Sequence, residues 1–106
     1  MTVIAFLSVA PVVEDSMAAE VAAAIEALEA FDVSYETTPM GTTIETDDVG
    51  ELFAAVQAAH GAVDADRVST VLTVDDKRTS DESARGKVDA VESVLGRSAS
   101  SAGSSE

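Results

Sequence analysis

Apolar residues recur along this chain with a period near two or near 3.6, and the switches between the two periods mark seven elements. Residues 2–9 alternate Val3, Ala5, Leu7, Val9 against Ile4, Phe6, Ser8. Both sets are mostly apolar, which predicts a central strand covered on both faces. Asp15 and Ser16 offer N-caps for a helix whose stripe is Met17, Val21, Ile25 and Leu28. Val33–Thr37 reads as a strand, Pro39-Met40-Gly41 as a turn with Gly41 at φ > 0, and Thr42–Thr46 as the β-branched strand returning from it. Asp48 with Glu51 resembles a capping box. The helix it opens has Val49, Leu52, Phe53 and Val56 as its buried stripe and Gly61 just past its end. Arg67–Val74 is the most strand-like run. Thr79 with Glu82 suggests another capping box, before a third stripe at Ala84, Val88, Val91 and Leu95 that stops at Gly96. Ser98–Glu106 is low in complexity and has nothing to bury, so a disordered tail is expected after a single domain spanning 1–97.

The order β-α-β-β-α-β plus a C-terminal helix is that of an α+β, ferredoxin-like domain: a four-stranded antiparallel sheet with helices on one face. The first and last strands are apolar on both faces, so helices on one side leave a set exposed. Burial against a second copy is the expected remedy, hence a homo-oligomer.

Composition narrows the function classes. The chain carries 20 acidic residues against 6 basic ones, a formal net charge of −14. Such a surface repels nucleic-acid phosphates and anionic lipid, and neither partner is expected. The acids are scattered and not run together. This favours adaptation to a salt-rich cytoplasm of the haloarchaeal type over an acidic docking surface, because the repulsion is screened within about 3 Å at 1 M salt. Cysteine is absent, excluding disulfides and thiolate chemistry and fitting a cytoplasmic location. The N-terminal apolar run is too short for a signal peptide or a membrane span.

The heptapeptide Pro39-Met40-Gly41-Thr42-Thr43-Ile44-Glu45 resembles the small thiamine-binding protein family. So do Ser8-Val9-Ala10-Pro11, Ser16, Tyr35, His60-Gly61, Arg67-Val68-Ser69-Thr70 and Asp75-Asp76-Lys77-Arg78, in order and spacing. The match runs from about residue 2 to 95. The resemblance implies a ferredoxin-like fold, tight dimers that pair into tetramers, and binding of thiamine or its hydroxymethylpyrimidine precursor; the residues themselves show no metal-spaced set, and no cofactor or metal is expected.

Under that resemblance the candidate ligand-binding residues are Ser8, Tyr35, Thr42, Thr43 and Glu45. Tyr35 offers a ring to stack on, Glu45 an acceptor for the exocyclic amine, and the Thr43 and Ser8 hydroxyls partners for ring nitrogens. The bland alternative is that the threonines favour a strand and Glu45 is solvated at its end. Tyr35 and Thr37 share one strand face, and Thr43 and Glu45 share another. Whether those faces coincide depends on the hairpin register. The turn is no phosphate loop, since it lacks the lysine, the glycine spacing and a following helix. His60, the lone histidine, is expected to cap its helix by meeting the last carbonyls. Asp47-Asp48 and Asp75-Asp76 read as acids at helix starts, and Arg67 as a candidate for an intersubunit ion pair, with Arg78 open between that role and a solvated turn. No catalytic triad, Cys-His pair or dinucleotide turn is present, so an enzyme is not expected. The alternative function is a regulatory or scaffolding module binding another metabolite or a protein partner.

Overall fold

The computed structural model describes residues 1–12 and 16–103. Its elements are β1 (Thr2–Pro11), α1 (Ala18–Leu28), β2 (Ser34–Thr38), β3 (Gly41–Thr46), α2 (Val49–Ala62), β4 (Val68–Lys77) and α3 (Ala84–Leu95). The four strands form one antiparallel sheet in the order β2-β3-β1-β4. This is the ferredoxin-like α+β arrangement, with a C-terminal helix added. The expected tail has neither helix nor strand over residues 98–103, and Ser104–Glu106 lie outside the described residues.

Parity along β1 divides the sheet into two faces. Val3, Ala5, Leu7 and Val9 are buried, and with Ile44 of β3 they meet Ala24 and Leu28 of α1 and Leu52, Ala55, Val56 and Ala59 of α2. The core is aliphatic, as the scarcity of aromatics requires. The opposite face carries Ile4, Phe6 and Ser8. It is only partly covered, and Phe6 stays 38% exposed. Full cover of β1 on both sides, as its alternation suggests, is therefore not met within one chain.

Several local expectations shift. Among the described residues the N-cap of α1 is Met17, with Ser16 Oγ accepting from the Ala18 amide at 3.4 Å; Asp15 lies outside them. Asp48 does cap α2, accepting from the Gly50 amide at 2.9 Å. Glu51 does not close a capping box: its carboxylate accepts from the Asp32 amide at 3.0 Å and ties down the approach to β2. Phe53 is 54% exposed and leaves the stripe to Ala55 and Ala59, whose small side chains let α2 lie close to its neighbours. Gly61 falls inside α2, which ends one residue later. At α3 the cap is Ser83, accepting from the Gly86 amide at 2.9 Å, in place of Thr79, while Gly96 ends the helix in the left-handed region (φ 73°).

Asp75, Asp76 and Lys77 continue β4 and are not a turn. They pair with Ile4, Val3 and Thr2, because the β1 backbone there still offers a ladder partner. Gly41 has the expected positive φ, 159°, which L side chains rarely adopt, and a steric requirement adds to it. A Cβ there would stand 2.6 Å from Phe6 Cζ and 2.8 Å from the Leu7 carbonyl oxygen. The Phe6 ring lies over the glycine.

Candidate functional site

The register of the β2–β3 hairpin settles which candidate residues share a face. Tyr35 pairs with Ile44, and Ser34 and Glu36 pair with Glu45 and Thr43. Directly opposed residues point the same way. Tyr35 and Thr42 thus belong to the helix-covered face, whereas Ser34, Glu36, Thr43 and Glu45 belong to the open one. Tyr35 Oη donates to Glu29 Oε1 at 2.9 Å, beside the end of α1. That bond raises the phenol above its ordinary value, with a smaller push from desolvation. Thr42 is buried against Leu7, its Oγ1 3.5 Å from Thr37 Oγ1. A single ring cannot both stack on the Tyr35 phenol and meet Thr43 and Glu45 through the sheet.

On the open face, cross-strand pairing continues the row Ser34–Glu45–Ile4–Asp75 through all four strands. Helix α3 lies against this row. The Ala84 amide at its N-terminus donates to Glu45 Oε1 at 3.3 Å, and Lys87 Nζ is paired with the Asp75 carboxylate. The ammonium holds Asp75 below its ordinary value, first by hydrogen bond and then by charge, and the carboxylate in turn raises Lys87.

Between α3 and the sheet is a cleft of about 400 Å³, bordered by Ile4, Thr43 and Glu45 below, Ala84, Lys87 and Val88 on the helix side, and Ser34 to Glu36 at the rim. That volume falls within the roughly 300–1,000 Å³ of small-molecule sites. Ser34 and Glu45 also border a polar hollow of about 340 Å³ with Asp32, Thr46 and Asp47. Of the five candidate residues, Thr43 and Glu45 line the cleft with their strand face toward it, and Tyr35 reaches its rim. Ser8 shares the open face but stands four residues from Ile4, about 13 Å along the strand.

Sequence reasoning missed Ile4 as the apolar floor and α3 as the opposite wall. The alternation of Ile4 with Val3 was the available signal for the first. Nothing in sequence spacing places residue 84 beside residue 45.

His60 is bonded elsewhere than expected: its Nδ1 lies 2.6 Å from Thr70 Oγ1 on β4, tying the last turn of α2 to the sheet edge. It does not line the cleft. Arg78 Nε donates to Asp76 Oδ2 at 3.2 Å within the chain. No group of three His, Cys, Asp or Glu side chains is placed to hold a metal ion among the described residues.

Comparison with known proteins places the chain and its fold in a family. A sequence profile described as thiamine-binding protein matches residues 5–92. The chain belongs to the thiamine-binding protein family. Its relatives include a UPF0045 protein of Methanothermobacter thermautotrophicus, 46% identical over 83 residues that cover 76% of this chain and 84% of the relative. The crystal structure of a hypothetical protein from Methanocaldococcus jannaschii superposes with a TM-score of 0.78 at 32% identity, covering 85% of this chain and 95% of that one. A Thermotoga maritima structure, provisionally named for thiamine biosynthesis or salvage, has a TM-score of 0.72 at 28% identity, covering 86% of this chain and 99% of that one.

Proposed function

We propose that this member of the thiamine-binding family holds thiamine or a hydroxymethylpyrimidine-type precursor in the cleft between α3 and the open sheet face, and releases it unchanged. The observation that carries this reading is the convergence of an apolar floor and wall, Ile4 with Ala84 and Val88, on the polar pair Thr43 and Glu45. A flat aminopyrimidine needs both: apolar contact for its faces, and an acceptor for its exocyclic amine at its edge. Glu45 is the acceptor and Thr43 the hydroxyl partner. The ring is held by aliphatic side chains, and Tyr35 contributes to the rim only. Ser8, on the same face, lies beyond the cleft and is left out of the site.

In support of a non-catalytic reading, the lone histidine is bonded to Thr70 on the other face, and the cations at the cleft, Arg85 and Lys87, are paired with Asp89, Glu92 and Asp75. A carrier, store or sensor of the pyrimidine in a salt-rich cytoplasm matches this arrangement. The working form is a homo-oligomer. Edge strand β4 offers a ten-residue ladder with Val71 61% exposed, and a second copy would cover it together with Phe6.

Isothermal titration calorimetry in molar KCl tests the reading, with thiamine and hydroxymethylpyrimidine as ligands. Saturable heat with at least one is the expected result, and Glu45→Ala should weaken binding about tenfold or more, the worth of a charge-assisted hydrogen bond. Full affinity in Glu45→Ala would remove Glu45 from the site, and no heat with either ligand from folded protein would overturn the proposal.

A further inference from the structure

Helix α3 has an apolar stripe but buries none of its residues. Val88 is 38%, Leu95 45% and Val91 53% exposed. Its attachments to the sheet are polar, from Ala84 N to Glu45 Oε1 and from Lys87 to Asp75, while Lys77 Nζ to Glu82 Oε1 at 3.4 Å ties the preceding loop to β4. Hydrophobic packing, the usual source of helix stability in proteins, is therefore incomplete on its inner side, and a helix of this length is marginal in water by itself. What separates the helix from the sheet is the cleft.

Two features tie the helix to whatever fills that space. Ala84 and Val88, four residues apart, line the cleft from the same side of α3, while Ile4 lines it from the sheet. A planar ring between them gives α3 the apolar contact it lacks. Glu45 is the second link. Its Oε1 holds the first amide of α3, and among the described residues its Oε2 accepts no hydrogen bond. One carboxylate can therefore grip the helix with one oxygen and a ligand amine with the other.

We infer that α3 is a ligand-coupled strap: filling the cleft with a flat aminopyrimidine docks the helix onto the sheet, with Glu45 as the shared anchor. This rests on the binding reading above and adds its regulation. It gives the protein two surfaces, one with a loosely held α3 and one with α3 seated, through which occupancy becomes visible from outside.

Hydrogen exchange followed by mass spectrometry on the full chain, run beside calorimetry on the same samples, tests the coupling. With thiamine or hydroxymethylpyrimidine bound, exchange across residues 84–95 should slow about tenfold, while the core strands β1 and β3 change little. Measured binding heat with unchanged exchange in α3 would overturn the strap and leave the binding site standing. No binding heat with either ligand would overturn the binding reading and the coupling with it. Glu45→Ala in ligand-free protein reads the anchor alone: faster exchange in α3 with β1 still protected supports it, and unchanged exchange in α3 overturns it.

Discussion

Gly41 shows how much one missing atom decides in this sheet. Glycine there lets the Phe6 ring lie over β3, and any Cβ would meet both that ring and the Leu7 carbonyl. The ring has some freedom to turn, but the carbonyl belongs to a paired strand and cannot retreat. Gly41→Ala should therefore cost about 1–3 kcal/mol, as overpacking of a fitted region does, measured as a fall in the urea midpoint with unchanged m. In the core, Leu52 is fully buried, and Leu52→Ala should cost about 2–5 kcal/mol by the same assay. At this scale the sequence was partly legible. That Gly41 takes a positive φ was readable, but the contact with Phe6 was not, since Phe6 reaches it only through the β1–β3 register. For the site, Thr43 and Glu45 could be paired by parity within one strand. The face of Tyr35 could not, because it hangs on whether the hairpin turn holds two residues or three.

Whole elements were easier to read than their ends. The period of α2 placed Leu52 and Val56 in the core but put Phe53 where Ala55 and Ala59 are buried, whereas caps depend on which nearby side chain wins. Ser83 took the cap of α3 from Thr79, and Glu51 was drawn away to the Asp32 amide. Asp48→Ala, which removes the side-chain acceptor of α2, should destabilise the domain by about 1 kcal/mol. The seat of α3 has its own signature in pH. The folded value of Asp75 is lowered by Lys87, so the pair's contribution is present above the ordinary carboxylate value of 3.8 and is lost as pH falls through the lower folded one. Lys87 is raised by Asp75, so at the other end the contribution is present below 10.5 and is lost as pH rises through the higher folded value. Exchange in α3, corrected for intrinsic chemistry, should be slowest between these limits and should quicken below the acid one. Both groups are exposed, and salt should flatten the profile.

At the scale of the molecule, the ferredoxin-like order was readable because each strand and helix pattern is separate and the β-α-β-β-α-β sequence allows few topologies. The cleft was not, because it needs α3 to cross to the far side of the sheet. The expected oligomer follows from what one chain leaves uncovered. Light scattering in molar KCl should give at least twice the chain mass, and Val71→Asp on the exposed edge strand should shift it toward the monomer. A monomeric wild type would contradict the assembly. The net charge of −14 makes a second prediction: the urea midpoint should rise from low salt to molar KCl as carboxylate repulsion is screened. A midpoint that is flat or falling over this range would separate the acidity from any adaptation to salt.

The bond between Tyr35 and Glu29 has an optical consequence. With one tyrosine and no tryptophan in the chain, phenol absorbance and emission come from a single place, the joint between β2 and the end of α1. The phenol proton is what Glu29 accepts, so the contact is present below the ordinary value of 10.0 and is lost as alkali passes the higher folded value. An ultraviolet titration therefore reads that joint without any label. During unfolding the same phenol is a local witness beside the global one of backbone dichroism, and two curves that part company would date the opening of the hairpin relative to the collapse of the core.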